Sequence, residues 1–545
     1  MEGSDNGYSK SLLNFDGESR LVSSNLTPSA VKMDKKEYLN ISKAPDIADK
    51  KDRFIYRLLE IFPGALSLIT LLGVVVFSWL LPAWVAIFII LFCFYYLCKI
   101  LFLCLHQLAS YFKMKKYLKT NWLEKIKTME RWKNIYHLIS LPTYKEGPKI
   151  IEESLDALLA SNYPKENLII VLGVEERAGK VAADAGREIK RKYEKKFFRF
   201  ELTIHPKDIP GEVAGKGSNA SWAVKVAQRE VVDKLKIPYE DVIVSNFDID
   251  TKVYPDYFAC LTWHYLTVKN PLRTSFQPIP VYNNNVWDAP AFSRVVATSN
   301  TFWQMIQQER VEKLTTYSTH AMPLLAWSEV GYPSNIVSDD SRIFWKAFLY
   351  YDGDYNAVPL YYPVSMDTVM AEDILKTAIN QYKQQRRWAW GCNEIPYLIF
   401  GFMQNKKIPL RDKIKHLYNL LDGHWSWATA ALLIFFLGWL PVTLGGKNFD
   451  ITVLSYNLPH ITGNIMTISL VGLLISSILS TLMLPRRPED VARTKTITLL
   501  LQWALLPVTL TIFGTFPALD AQIRLMLGKY MGFWVTEKVR KDSRK

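Results

Sequence analysis

Cysteine is scarce in this chain of 545 residues, which contains five cysteines and no CxxC pair. Three of them, Cys93, Cys98 and Cys104, fall in one apolar stretch, where a thiol is usually a small buried hydrophobic group. The pattern favours neither a disulfide framework nor a zinc site. A GxxxxGK[ST] loop is also missing from the sequence, which argues against an ATPase of that type.

Charged residues are missing from a long stretch near the start of the chain, residues 62–98. At about 1.5 Å of rise per residue, a helix of this length exceeds the ~30 Å needed for one crossing of a bilayer. Pro82 lies near the middle of the run. The sequence therefore predicts a transmembrane hairpin over 58–106, with helices over 62–80 and 83–104.

Three later runs, 425–446, 461–484 and 496–519, also lack charge, and each is long enough to cross a bilayer once. We predict that the region 407–519 holds an interfacial helix and about three membrane segments. The formal charge of +14 suits nucleic acid, an anionic membrane surface or anionic small substrates. Among these alternatives the apolar runs favour an integral membrane protein, and no nucleic-acid partner is expected.

Basic residues predict the topology, because lysine and arginine favour the cytoplasmic side of a membrane. They flank the first hairpin on both sides, which places the following soluble region in the cytoplasm and suggests a plasma (inner) membrane protein. The amphipathic segment 520–545 is also basic, so we expect the run before it to be re-entrant, with a break near Pro507. Residues 1–52 are polar and predict a disordered cytosolic tail.

The region 130–400 alternates between strand and helix patterns. Apolar runs predict strands over 134–142, 167–174, 198–205 and 241–247, and helices are predicted over 176–195 and 217–236. Such alternation predicts a mostly parallel sheet covered by helices. Ligands bind these sheets at the carboxyl ends of the strands, where Glu175, Asp248 and Asp250 stand.

Two acidic motifs are candidates for catalysis. Asp248 and Asp250 form an Asp-x-Asp after a predicted strand; their oxygens suit Mg²⁺ or Mn²⁺, which would neutralise charge on a departing phosphate. A solvated turn is the alternative. Asp339 and Asp340 fit either the cap of a helix beginning near Ser341 or a general base that accepts the proton of an attacking hydroxyl.

Basic and aromatic residues form two further candidates. Gln384, Arg387 and Trp388 share one helix face at i, i+3 and i+4, where they offer an amide, a fork for phosphate and a platform for a sugar ring. An interfacial helix under the bilayer is the alternative. The glycine-rich stretch 211–217 opens a helix and places Lys216 for a diphosphate contact, the alternative being a turn with a surface lysine.

The order of these motifs resembles that of the processive membrane glycosyltransferases, of which cellulose synthase and hyaluronan synthase are familiar members. A PTYxE-like turn at 142–146 comes first, followed by Asp-x-Asp, the acidic pair, QxxRW at 384–388 and FxVTxK at 533–538. The resemblance covers roughly 130–400 and the C-terminal motif. It implies an α/β GT-A (nucleotide-diphospho-sugar transferase) cytosolic domain plus an α-helical transmembrane region.

The resemblance also implies a role for each matching residue. It places Thr143, Tyr144, Glu146 and Glu175 in the nucleotide pocket. It assigns Lys216 to the diphosphate, Asp248 and Asp250 to nucleotide and metal, and Asp340 to the general base. It assigns Gln384, Arg387 and Trp388 to binding of the acceptor end and the diphosphate. It assigns Phe533, Val535, Thr536 and Lys538 to a gating loop, which would close over the bound donor.

The implied function is inverting transfer of a hexose from a nucleotide sugar, UDP-linked, to a growing polysaccharide at the cytoplasmic face, with Mg²⁺ or Mn²⁺ as cofactor. The sequence departs from the family in three respects. Glu175 and Glu176 stand where aspartates are usual, Asp339 replaces a glutamate, and the membrane runs are few. The alternatives are a non-processive transferase that acts on a lipid-linked acceptor, and an inactive scaffold that binds nucleotide sugars.

Overall fold

The computed structural model describes residues 37–489, 491–492 and 494–535. The predicted disordered tail is wrong for its last part, since residues 37–49 include two short 3₁₀ turns, Glu37–Asn40 and Ala44–Asp46. Leu39, Ile41 and Ile47 are buried in the main hydrophobic core. Burial of these few apolar side chains favours an ordered segment, although the tail as a whole has a polar composition. Residues 1–36 of the tail lie outside the described residues.

The predicted hairpin is present and is longer than the uncharged run. Its helices are α1 (Lys50–Leu80) and α2 (Pro82–Lys119). Leu81 alone separates them, with a non-helical φ of −140° and ψ of 56°. Pro82 occupies the first turn of α2, where its missing N–H leaves no helical hydrogen bond unmade.

Eight strands form one sheet in the order β3-β2-β1-β4-β7-β6-β8-β5. They are β1 (Tyr136–Thr143), β2 (Leu168–Glu175), β3 (Arg199–His205), β4 (Val242–Asn246), β5 (Lys252–Val253), β6 (Thr274–Val281), β7 (His320–Pro323) and β8 (Asn356–Ser365). The four strands predicted from apolar runs are thereby confirmed. Alternate residues of the central strands face opposite sides of the sheet. Leu138 belongs to one buried core and Ile139 to the other, which gives a three-layer domain.

The sheet is mixed: its first four strands are parallel, and β6 and β8 in its second half are also parallel to each other, whereas β5 runs antiparallel to β8. Strands β3, β2, β1 and β4 are parallel, whereas β7 runs antiparallel to both β4 and β6. Six of the eight strands therefore run in one direction, in line with the predicted mostly parallel sheet, and β7 and β5 are the exceptions. The chain enters β7 at His320, which pairs with Asn246 at the carboxyl end of β4. Because β7 begins at this edge rather than after a crossover, it has to run the opposite way.

Ten helices of the described chain follow the hairpin and accompany the sheet. They are α3 (Trp122–Lys127), α4 (Pro148–Leu159), α5 (Lys180–Tyr193), α6 (Lys216–Ala227), α7 (Tyr257–Thr267), α8 (Ala291–Gln308), α9 (Leu324–Val330), α10 (Asp339–Tyr350), α11 (Ile374–Ala389) and α12 (Glu394–Gln404). The predicted helices over 176–195 and 217–236 correspond to α5 and α6. The second of these continues as a wider π turn, Gln228–Asp233.

The later apolar runs form a second helical region. It contains α13 (Leu410–Phe435), α14 (Leu440–Leu444), α15 (Lys447–Asp450), α16 (Val453–Leu482), α17 (Thr494–Leu501), α18 (Leu506–Leu510) and α19 (Phe516–Met526). By length and composition, four helical segments of the described chain suffice to cross a bilayer, or five if the bent pair α13 and α14 counts as one span. These segments are compatible with a membrane protein.

The sharp bend in this region lies away from Pro507. Helices α17, α18 and α19, with the irregular turns between them, form one candidate span from Thr494 to Met526. The 51° bend lies between α13 and the segment that ends with α14. Regular α-helix is interrupted on both sides of Pro507, by a 3₁₀ turn at Gln502–Leu505 and a π turn at Thr511–Thr515, and the re-entrant path stays a prediction. Pro507 sits in the first turn of α18, where proline is tolerated.

Candidate functional site

The Asp-x-Asp motif lies where β4 ends and is fastened to the end of β8. Asp250 is buried, and its Oδ2 accepts a hydrogen bond of 2.9 Å from the backbone N–H of Asp367. The Asn284 amide donates to the backbone oxygen of Asp250 at 3.0 Å and to the carboxylate of Asp367 at 2.9 Å. Asp250 is therefore part of the core, whereas the side chain of Asp248 is 27% exposed.

Lys216 joins the two acidic motifs. Its Nζ lies 2.7 Å from Asp248 Oδ1 and 3.0 Å from each carboxylate oxygen of Asp340. Burial of the amine opposes its charge, but the carboxylates of Asp248 and Asp340 outweigh that effect and raise the pKa of Lys216. Lys216 is thus a buried ion-pair partner at the first residue of α6, and not a surface lysine.

The two acids of the pair differ in environment. Asp339 is 2% exposed and accepts a 2.9 Å hydrogen bond from the hydroxyl of Tyr332. Burial, with the charge of Asp340 second, raises the pKa of Asp339 to about 8. The side chain of Asp340 is 23% exposed, and thus more accessible to solvent than that of Asp339. Helix α10 begins at Asp339 after Ser338, which makes no side-chain cap bond.

The segment before β7 contributes hydroxyl groups to which the sequence patterns assigned no role. Ser318 Oγ donates to Asp248 Oδ2 at 2.5 Å, and Thr316 Oγ1 donates to the backbone oxygen of Asp340 at 2.6 Å. His320 is fully buried, and burial lowers its pKa. A run of hydroxyl residues between two acidic motifs, at 315–319, was the available signal in the sequence.

The ends of β1 and β2 bring together the residues predicted for the nucleotide. Thr143 Oγ1 and the Tyr144 N–H donate to Glu146 Oε2 at 2.9 and 2.7 Å. The buried carboxylate of Glu175 pairs with Arg177, whose guanidinium carbon lies 4.4 Å from the ring centroid of Tyr144. Sequence reasoning missed Arg177, which offers donors and a planar surface beside these groups.

The QxxRW residues lie at the end of α11 and meet the site from the other side. Gln384 is buried and accepts a 3.3 Å bond from Gln381. The Trp388 ring lies 6.1 Å from that of Tyr282, centroid to centroid. Burial raises the pKa of Tyr282, and the charges of Asp248 and Asp250 raise it further. Tyr282 therefore contacts the QxxRW helix through the Trp388 ring.

The described part of the C-terminal motif covers the glycine turn before α6. A Cβ added at Gly215 would lie 2.5 Å from Phe533 Cγ, so a glycine is required for this close approach. The guanidinium carbon of Arg387 lies 4.8 Å from the Phe533 ring centroid, and the Lys383 amine lies 3.7 Å from that of Trp534. Val535 ends the described chain; Thr536 and Lys538 lie outside the described residues.

The donor set fits a metal ion that binds together with a substrate. Within the described ranges, no three His, Cys, Asp or Glu side chains are placed to hold a metal ion. Asp248 and Asp250 provide hard oxygen ligands of the kind that Mg²⁺ and Mn²⁺ prefer. Mg²⁺ commonly uses one or two carboxylates and takes its other ligands from phosphates and water. Two carboxylates are therefore sufficient for a metal–diphosphate unit.

Comparison with known proteins gives structural neighbours only at low similarity. No protein-family model matches the chain, and no curated protein matches it. The mannosyltransferase PcManGT from Pyrobaculum calidifontis, in complex with GDP-Man and Mn2+, is 14% identical with a TM-score of 0.37, over 71% of this chain and 99% of that one. Residues 1–349 of S. aureus TarS are 13% identical with a TM-score of 0.34, over 64% and 91%. The complex of TarS 1–349 with UDP-GlcNAc is 14% identical with a TM-score of 0.34, over 66% and 95%.

Proposed function

We propose that this protein is a membrane-embedded inverting glycosyltransferase that transfers a hexose from a nucleotide sugar, UDP-linked, to a growing polysaccharide at the cytoplasmic face of the plasma membrane. Residues 130–400 would form its GT-A catalytic domain. The observation that carries the proposal is the pairing of the Lys216 amine with both Asp248 and Asp340. It unites the donor-binding and base motifs around one cation.

The donor half of the site combines cationic and stacking groups. Lys216 and Arg387 offer positive charge to a diphosphate, and the amine lies at the first residue of α6, where the helix dipole also favours an anion. Tyr144, Glu146, Glu175 and Arg177 form a polar patch at the ends of β1 and β2 for a nucleobase. Phe533 would cover the donor as part of the gating loop.

Asp248 and Asp250 would hold Mg²⁺ or Mn²⁺ with the diphosphate. The bound ion would stabilise the negative charge of the departing nucleoside diphosphate. The chain's own contribution there is to fix the carboxylate of Asp250 through the N–H of Asp367, so that its position is set before the donor binds.

Donor binding would also free the base. In the described state both oxygens of Asp340 face the Lys216 amine. A diphosphate competes for that amine, so its arrival releases the carboxylate. Asp340 then accepts the proton of the acceptor hydroxyl, whose oxygen attacks the anomeric carbon while the bond from that carbon to the diphosphate oxygen breaks. Attack opposite to the leaving group inverts the anomeric configuration.

The acceptor side lies near α11, where Gln384 and Trp388 offer an amide and a ring to a sugar. The proposal is tested by incubating purified full-length protein in nanodiscs with a panel of labelled nucleotide sugars. We expect UDP release from one donor and a product that lengthens with time on gels. One added sugar recovered in the lipid fraction would favour the lipid acceptor, and donor binding without turnover would favour the scaffold.

A further inference from the structure

Helix α1 carries a carboxylate that is completely buried. The side chain of Glu60 is 0% exposed, although α1 as a whole is a candidate membrane span. Its Oε1 accepts a 3.0 Å bond from the N–H of Ala44. Its Oε2 accepts bonds of 2.8 Å from both Arg57 Nη1 and the hydroxyl of Tyr530. A buried charge is costly unless it is fully bonded, and here three donors compensate it.

Arg57 continues this network to the end of α19. Its guanidinium donates to the backbone oxygen of Leu525 at 2.9 Å and to that of Met526. These carbonyls belong to the last turn of the helix, where helical hydrogen bonding ends, and that of Leu525 also accepts a 3.0 Å bond from the N–H of Gly528. Gly528, with a φ of +69°, turns the chain away at this point; a Cβ there would lie 3.4 Å from the guanidinium. Arg57 therefore fixes where the C-terminal segment begins.

The segment runs from this anchor to the candidate site in a few residues. Phe533 is the third residue after Tyr530, and an extended chain spans at most ~3.6 Å per residue, or about 11 Å. Within that reach Phe533 has to meet both Gly215 and Arg387. Tyr530 thus limits where the Phe533 ring can be placed.

We propose that Arg57, Glu60 and Tyr530 are positioning residues that hold the base of the C-terminal segment, so that Phe533 lies against Gly215 beside the donor site. This inference rests on the proposed function. The anchor acts through Phe533 and touches no substrate itself. It links donor binding to α1, the first helix of the membrane hairpin.

A double-mutant cycle tests whether Tyr530 acts through Phe533. Tyr530→Phe removes only the hydroxyl that donates to Glu60, a charged hydrogen bond whose loss should lower kcat/KM for the donor about tenfold, mostly through KM. In a Phe533→Ala background, the same change should cost less than about twofold, because the group that it positions is already gone. Tyr265→Phe, which removes a hydroxyl bonded to the Glu240 carbonyl elsewhere in the domain, is the matched control and should cost less than about twofold.

Equal losses in both backgrounds would show that Tyr530 acts independently of Phe533 and would overturn the proposal, as would no loss in either. Glu60→Gln provides a second variant of nearly the same shape, and its loss should likewise vanish in the Phe533→Ala background.

Hydrogen–deuterium exchange separates the anchor from the catalytic assignment. Tyr530→Phe should raise exchange in the peptide covering 528–535 while leaving α19 unchanged. Unchanged exchange in that peptide would overturn the anchor, whatever the activity. If the wild-type protein turned over no nucleotide sugar, while Tyr530→Phe still raised exchange in this peptide, the proposed function would fail and the anchor would stand.

Discussion

The amine of Lys216 lies 3.0 Å from both carboxylate oxygens of Asp340, although 124 residues separate them in the chain. The same amine lies 2.7 Å from Asp248. One buried cation thus holds two acids that the proposed reaction needs in different roles, one near the metal and one as the base. Substitutions at these residues and around them should separate those roles.

Asp340→Asn should abolish sugar transfer while donor binding persists. The amide keeps the shape of the side chain but cannot accept a proton, so kcat should fall by about 10²–10⁴-fold. Turnover is measured as UDP release, and binding by calorimetry with the donor. Asp354→Asn, at an exposed ion pair with Arg273, is the control and should turn over normally. Retained turnover in Asp340→Asn would remove it as the base.

Lys216→Gln should weaken binding of a nucleoside diphosphate. Loss of a charged contact with phosphate corresponds to about tenfold or more in Kd. The substitution also removes the cation that pairs with Asp248 and Asp340, so the melting temperature should fall at pH 7. Lys190→Gln, which breaks a half-exposed pair with Glu201, should change neither quantity. An unchanged Kd would contradict the assignment of Lys216 to the diphosphate.

Asp339 should make stability depend on pH. Burial raises the pKa of Asp339 to about 8, well above its usual value. Between its unfolded and folded pKa the native protein binds a proton that the unfolded chain has lost, so the free energy of unfolding falls as pH rises from about 4 to about 8 and levels off above. Asp339→Asn removes this titration but still offers an oxygen to Tyr332. The melting temperature of the variant should vary less with pH than that of the wild type. Equal pH dependence of the two melting temperatures would contradict the burial of an ionisable Asp339.

Gly215→Ala should displace the C-terminal segment. The added Cβ would lie 2.5 Å from Phe533 Cγ, closer than packed carbon atoms allow, so the ring has to move. We expect KM for the donor to rise to the level of Phe533→Ala, measured in the same assay. Gly147→Ala is the matched control because its Cβ would meet nothing within 4 Å and its φ is −65°. A Gly215→Ala enzyme with the wild-type KM would argue against a covering role for Phe533.

Removal of divalent metal should stop catalysis without unfolding the protein. Among the described residues no three side chains form a metal site, so the ion is expected to arrive with the diphosphate and to contribute little to stability without it. EDTA should abolish UDP release, Mn²⁺ or Mg²⁺ should restore it, and the melting temperature of the donor-free protein should not change. A large fall in melting temperature with EDTA would indicate a structural metal instead.

Much of the first half of the sheet could be predicted from the sequence. Strands buried on both faces appear as unbroken apolar runs, and β1, β2 and β4 fall where those runs lie. The direction of β7 could not be predicted, because it depends on which edge of the sheet the chain reaches after α8. Residues 37–49 were misjudged for a similar reason, since their few apolar side chains are buried only by partners far along the chain.

The candidate site divides in the same way. The residue types in Asp-x-Asp, the acidic pair and QxxRW are enough to indicate acid, metal and phosphate chemistry, because each side chain brings its own functional group. The ion pairs of Lys216, the contact of Phe533 with Gly215 and the stacking of Arg177 on Tyr144 have no counterpart in the sequence pattern, since each joins segments that are distant along the chain or depends on a side-chain conformation.

Local sequence is sufficient for the apolar helices, the strands of the parallel half-sheet and the chemical groups available, because hydrophobic periodicity and residue chemistry are local properties. Folding in three dimensions was needed to establish that Lys216 joins Asp248 to Asp340, and that Glu60 holds Tyr530 from 470 residues away. Such contacts depend on how distant segments pack, since a charge can be buried only where the folded chain delivers its partners.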